Sequence, residues 1–285
     1  MPVHERSAGA RPPLADTHRT GVTGTIDRVH PEKTPTTESA RSIRIEIVVV
    51  LLFTFGLSGL SSILSLVESA LEQGALSDQT VAINVPQSTL GPIDFLRQLI
   101  GVVRLCAWGA LGLYLLWRSG IGPRAIGFAR PRLRPHVLHG VGLAAIIGIP
   151  GLLFYLVAVA LDLNVTVLPS TLNDVWWRPI TLTLSAVANS VAEEVLVVAW
   201  LISRLRALGW TDNRSLLASA VLRGSYHLYQ GFGAGVGNLV MGLIFGRYFQ
   251  RTGRLWPLVI AHALIDIVAF VGFAALRDHV SWLPG

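Results

Sequence analysis

SVAEEVLVVAW, Ser190–Trp200, sets two adjacent glutamates inside a run that otherwise reads as lipid-soluble. From Ile180 to Ile202, Glu193 and Glu194 are the only formal charges. A carboxylate at the centre of a bilayer costs about 2.5–3.5 kcal/mol on insertion scales. Two side by side need a reason.

The rest of the chain shows that the setting is a membrane. Of 285 residues, 52% are hydrophobic and only 14% charged, against about a quarter in a soluble domain. The mean hydropathy is +0.55. A stretch of roughly 20 apolar residues crosses the hydrocarbon. Such stretches lie at about Ile45–Val67, Phe95–Trp117, Val137–Leu161, Ile180–Ile202, Ser215–Tyr229, Gly235–Phe249 and Leu255–Leu276, the fifth and sixth being short. The expected fold class is therefore all-α, a multi-pass transmembrane helical bundle of seven spans, with eight as the alternative. Residues 1–42, rich in Pro, Thr, Arg and Gly, are expected to be a disordered basic tail, and 43–285 the membrane domain. The single cysteine, Cys106, excludes an intrachain disulfide and any Cys-based metal site.

Loop charge sets the orientation. Arg41 and Arg44 precede the first span, and Glu68, Glu72, Asp78 and Asp94 follow it. Arg118, Arg124, Arg130, Arg132 and Arg134 come next, then Asp162 and Asp174 with Arg178 alone. Arg204, Arg206 and Arg214 follow the fourth span; Arg247, Arg251 and Arg254 follow the sixth. Cytoplasmic loops carry the basic excess, so the N-terminus is expected inside, in an integral protein of the plasma membrane. The net charge of +6 is thus a topology signal, and nucleic acid is not expected as a partner.

Polar residues concentrate in the late spans. The fourth carries Glu193 and Glu194 after Asn189 and Ser190; the fifth, VLRGSYHLYQG, carries Arg223 and His227; the sixth Asn238; the seventh, PLVIAHALIDIVAF, His262 and Asp266. His262 and Asp266 share a helix face, as do Arg223 and His227, because residues four apart lie one turn from each other. Counted from the basic loops at about 1.5 Å per residue, the groups lie about 12–20 Å deep, so they can converge on one point open from the cytoplasmic side. A single membrane histidine is more often an interhelical hydrogen bond than a ligand, but glue needs only one or two partners. Glu with His can deprotonate water, and His/carboxylate sets can hold a zinc-like ion. Three ionised carboxylates with one Arg leave a formal charge of −2, which a divalent cation or two protons would neutralise. HExxH and GxSxG are both absent.

Adjacent glutamates, a histidine one turn along the next span and a late HxxxD resemble the CPBP family, the CAAX-protease and bacteriocin-processing (ABI) intramembrane endopeptidases. The resemblance covers about residues 180–270. It implies hydrolysis of a peptide bond by water activated by Glu193 and His227, with Glu194 in support and His262 and Asp266 at the oxyanion. It leaves open a divalent cation such as zinc on Glu193, His227 and His262, and implies a protein or peptide substrate reached from the cytoplasmic side or the bilayer. Three positions depart from the family pattern EExxxR, FxxxH and HxxxN: Val198 stands for Arg, Arg223 for Phe and Asp266 for Asn. The expectation drawn from them is that the cation has moved helix, Arg223 pairing Glu194 and leaving Glu193 free, while Asp266 orients His262. The competing readings are a non-catalytic scaffold or immunity-type protein, and an ion-coupled transporter, against which stands the lack of a second symmetric half.

Overall fold

The computed structural model describes residues 38–130, 133–276 and 279. The tail expectation for residues 1–37 lies outside them. The first described helix, α1 (Ala40–Phe53), begins at Ala40, with Ser39 capping it by accepting from Ser42 N at 3.1 Å.

The chain continues through α2 (Phe55–Leu71), β1 (Thr80–Asn84), α3 (Gly91–Arg118), α4 (Leu133–Ala160) and β2 (Thr166–Ser170). A long rod follows, made of α5 (Arg178–Glu193), a π-helical segment (Glu194–Trp200) and α6 (Leu201–Ala207). Then come α7 (Asp212–Ser225), α8 (Phe232–Thr252), α9 (Trp256–Ile267), a second π segment (Val268–Gly272) and α10 (Phe273–Leu276). Pro179 and Pro257 sit in the first turns of α5 and α9, where a missing N–H costs nothing.

The helical bundle stands, while the count of seven spans is not reproduced. Among the described residues four helical stretches are long and apolar enough to cross a membrane: 91–118, 134–160, 178–207 and 256–276. The pair α1 and α2, bent by 51°, makes a fifth if taken as one span. α7 has 14 residues, about 21 Å, which is short of the hydrocarbon thickness. α8 has the length, but glycines, Asn238 and a basic end dilute its apolar character.

The loops add a parallel two-stranded sheet, with Thr80 opposite Thr166 and Asn84 opposite Ser170. It ties the segment after α2 to the segment after α4, at the end of the bundle opposite the arginine-rich loops. Asp162, at φ 58°, accepts from Ser77 N at 2.9 Å and reinforces that tie.

The rod is the centre of the core. Every residue from Ala192 to Ile202 is buried, and α3 lies close against it: a Cβ on Gly112 would meet Val195 and Leu196 within 3 Å. α1 is fixed to the rod by charge. Arg204, with a side chain 3% exposed, meets Glu46 at 2.9 Å and Glu38 at 2.5 Å, and Trp200 Nε1 donates to Glu46 at 3.0 Å.

α7 and α8 form an antiparallel hairpin. At its tip Gly231, φ 112°, passes so near Asn164 that a Cβ would stand 2.5 Å from the Asn164 Cα. Lower down, Gly242 of α8 lets the α7 backbone in; a Cβ there would be 2.9 Å from the Ala220 Cα. Gly242→Ala is therefore expected to destabilise the protein by about 1–3 kcal/mol, as overpacking against backbone does. Gly237→Ala, whose Cβ would meet nothing nearer than 3.7 Å, is the control. Equal thermal midpoints for the two variants in detergent would show that this approach does not limit the packing.

Candidate active site

Three helices meet at one carboxylate. Glu194 opens the π segment, and its Oε1 accepts from Arg223 Nη2 of α7 at 2.6 Å and lies 2.8 Å from His262 Nδ1 of α9. Glu194 and Arg223 are both fully buried, so neither charge has water to fall back on. The Arg223 guanidinium also lies over the Phe245 ring of α8, 5.6 Å from its centre. Arg223 Nη1 stands 3.9 Å from Glu193 Oε2, an ion-pair distance beyond hydrogen bonding.

Glu193 is held by other groups. Asn189 Nδ2, one turn back on α5, donates to Glu193 Oε1 at 3.1 Å, and the Tyr226 hydroxyl donates to Glu193 Oε2 at 2.6 Å. Adjacent residues point about 100° apart on a helix, which is why the two glutamates find different partners. The same Asn189 nitrogen donates to Asp266 Oδ2 at 3.1 Å. Asp266 Oδ2 lies 3.6 Å from His262 Nε2, so the imidazole presents one nitrogen to each of two carboxylates. The Nδ1 contact is of hydrogen-bond length, while the 3.6 Å from Nε2 to Asp266 is an ion-pair distance beyond hydrogen bonding.

His227 follows α7, in the turn before the hairpin tip. Its Nδ1 is 3.0 Å from the Arg223 carbonyl oxygen. A carbonyl only accepts, so Nδ1 carries the hydrogen and the lone pair of the neutral ring is on Nε2. The ring lies against Tyr226, centroids 4.7 Å apart, and Tyr226 in turn packs on Phe55 at 4.9 Å. The break at Thr54 between α1 and α2 delivers Phe55 to this place.

Of the residues singled out in the sequence, Glu193, Glu194, Arg223, His262 and Asp266 thus form one contact network, with His227 joined through Tyr226 and the Arg223 backbone. Asn238 does not join it: its Nδ2 donates to Ala234 O at 3.1 Å, in its own helix. Two members escaped the sequence reading of site residues, Tyr226 and Asn189. The available signal was their position, one residue before His227 and four before Glu193.

A divalent ion would need Glu193, His227 and His262 to turn donor atoms toward one point. Among the described residues no three His, Cys, Asp or Glu side chains are placed to hold a metal ion. The Nδ1 atoms of His227 and His262 are already committed, to the Arg223 carbonyl and to Glu194. This donor set does not fit a three-ligand ion. Cavities of about 480 Å³ beside Trp176 and Arg178, and about 370 Å³ beside Arg206 and Phe249, contain none of the network residues.

No curated protein and no solved structure matches the chain. Residues 174–268, about a third of the chain, match the family model for the type II CAAX prenyl endopeptidase Rce1-like proteins. That segment holds every member of the network, and its similarity to a family of membrane proteases agrees with the CPBP resemblance read from the motifs.

Proposed function

We propose that the protein is a glutamate-type intramembrane endopeptidase. The observation that carries the reading is the division between the two glutamates: Glu194 is hydrogen-bonded to Arg223 at 2.6 Å and lies against His262, while both hydrogen bonds to Glu193 come from neutral donors and the guanidinium stands 3.9 Å off. A carboxylate paired to a guanidinium at 2.6 Å is a poor base; one held by an amide and a phenol keeps lone pairs for a water.

In the proposed reaction a water donates one hydrogen bond to Glu193 and the other to His227 Nε2. Its oxygen attacks the carbonyl carbon of the scissile bond as its proton passes to Glu193. The carbonyl oxygen becomes an oxyanion, stabilised by a hydrogen bond from His262 Nε2, while Glu194 holds Nδ1 of the same ring. The C–N bond then breaks, and the proton on Glu193 leaves with the amine. Arg223 keeps Glu194 from remaining an unpaired charge in the bilayer.

The substrate class we infer is a protein or peptide segment reaching the site from the arginine-rich end or from the lipid. We assign that end to the cytoplasm, with the N-terminus on the same side of the plasma membrane, because six basic residues, Arg204, Arg206, Arg214, Arg247, Arg251 and Arg254, follow the rod and flank the α8–α9 turn. A prenylated C-terminal tail is the substrate to try first, since that is what the matched family's description names.

One observation favours a scaffold instead: Glu194, Arg223 and His262 satisfy one another, as a purely structural polar core would. Comparing protein termini in membranes from cells expressing the wild type, Glu193→Gln and His262→Ala at matched levels separates the two. The endopeptidase reading expects new termini that vanish in both variants and persist after chelation with EDTA. Identical termini in all three, with each protein folded, would sink it.

The move of the cation between helices has its own test. Arg223→Ala takes the guanidinium from buried Glu194 and leaves His262 as its partner, an expected cost of about 3 kcal/mol. Val198 is fully buried four residues after Glu194. Adding Val198→Arg to Arg223→Ala is expected to restore part of the thermal midpoint and part of the cleavage; a double variant no better than the single one rules the exchange out.

A further inference from the structure

Asn189 and Tyr226 take no part in the reaction just described, yet they make the only hydrogen bonds that Glu193 side-chain oxygens accept among the described residues. We propose that they are positioning residues: a two-point clamp, one donor on each oxygen, that fixes the plane of the Glu193 carboxylate and, through Asn189, ties it to Asp266. This rests on Glu193 being the base.

The terminal torsion of a glutamate is broad, so an untethered carboxylate samples many planes. Here Oε1 is held from one turn back on the same helix and Oε2 from a neighbouring helix, at 3.1 and 2.6 Å. Two donors at opposite ends of the group stop its rotation, and each oxygen, with two lone pairs, keeps one for water. The amide can stand only one way round. Reversed, Asn189 Oδ1 would face two carboxylate oxygens, three acceptors with no hydrogen among them. As placed, one nitrogen spends both its hydrogens on Glu193 and Asp266. That links the group that takes the proton to the carboxylate beside His262. Tyr226 cannot swing freely either, because its ring is packed between Phe55 and His227. The same packing makes Tyr226→Phe a clean probe: the ring stays and only the hydroxyl goes.

The test uses the full chain in nanodiscs, with an internally quenched peptide ending in a farnesylated CAAX sequence as the probe. Asn189→Ala and Tyr226→Phe are each expected to lower kcat about ten- to a hundredfold with KM changed less than twofold, the signature of a misplaced base. Asn189→Asp is expected to be worse than Asn189→Ala, since it faces two carboxylates with a third. In a Glu193→Gln background neither substitution is expected to cause a further loss, because both act through Glu193. A further loss in the double variants, or a loss confined to KM, overturns the proposal. Thermal midpoints without substrate supply an arm that does not need turnover. There the double variant with Tyr226→Phe, whose hydroxyl bonds Glu193, is expected to lose less than the sum of the two single losses, and additive losses overturn the clamp. A wild type that cleaves nothing counts against the endopeptidase reading, while the midpoints still decide the clamp.

Discussion

One oxygen atom organises this molecule. Glu194 Oε1 takes a guanidinium hydrogen bond from α7 and faces an imidazole nitrogen of α9, so three helices are fixed relative to each other at a point inside the hydrophobic core. In a bilayer there is no hydrophobic force to draw helices together, and packing and polar contacts have to do it. A fully buried Glu–Arg pair is an unusually demanding contact, because separating the helices would strand both charges. The rest of the arrangement serves that demand. Gly242 lets α7 come close to α8, Phe245 offers its ring to the guanidinium, and Gly109 and Gly112 bring α3 against the rod that carries the carboxylate.

With Glu194 committed to Arg223 and His262, Glu193 is left to other partners. The two residues are neighbours in sequence, but the helix turns them to different hydrogen-bond partners, a guanidinium and an imidazole for one, an amide and a phenol for the other. One glutamate balances Arg223. The other accepts from Tyr226, whose ring packs on His227, and the backbone hydrogen bond of that histidine leaves its lone pair on Nε2.

Much of this is legible in the sequence, for reasons that are easy to name. Apolar runs of membrane length announce α3, α4, the rod and α9, because length and hydropathy are what a span requires. The i,i+4 spacing of His262 and Asp266, and the isolation of Glu193 and Glu194 among apolar residues, mark the polar centre, since burying such groups singly would be too costly. What stays hidden is what depends on tertiary neighbours. Nothing in DQTVAINV and VTVLPS says that two short loop segments pair as strands, since their partners are more than eighty residues apart. Asn238 has the right depth and polarity, but only the structure shows that it bonds back to its own helix. Tyr226 and Asn189 look like ordinary polar residues until their donors are seen on Glu193.

The π segments are equally silent in sequence, and they explain how the network is held in register. The rod becomes π-helical at Glu194, and α9 does so at Val268, two residues after Asp266. Such turns are uncommon and concentrate at functional sites. Ser219 Oγ of α7 donates to Val197 O of the rod's π segment at 2.6 Å, and Arg223, one turn further along α7, holds Glu194. One pin between two helices would let them swivel about it. Two pins, a turn apart on α7 and three residues apart on the rod, remove both rotation and sliding. Because Tyr226 is only three residues beyond Arg223, and Glu193 immediately precedes Glu194, the hydroxyl meets the carboxylate at a position these pins determine. The wide turn that seems a defect in the rod is therefore part of what sets the orientation of the Glu193 carboxylate.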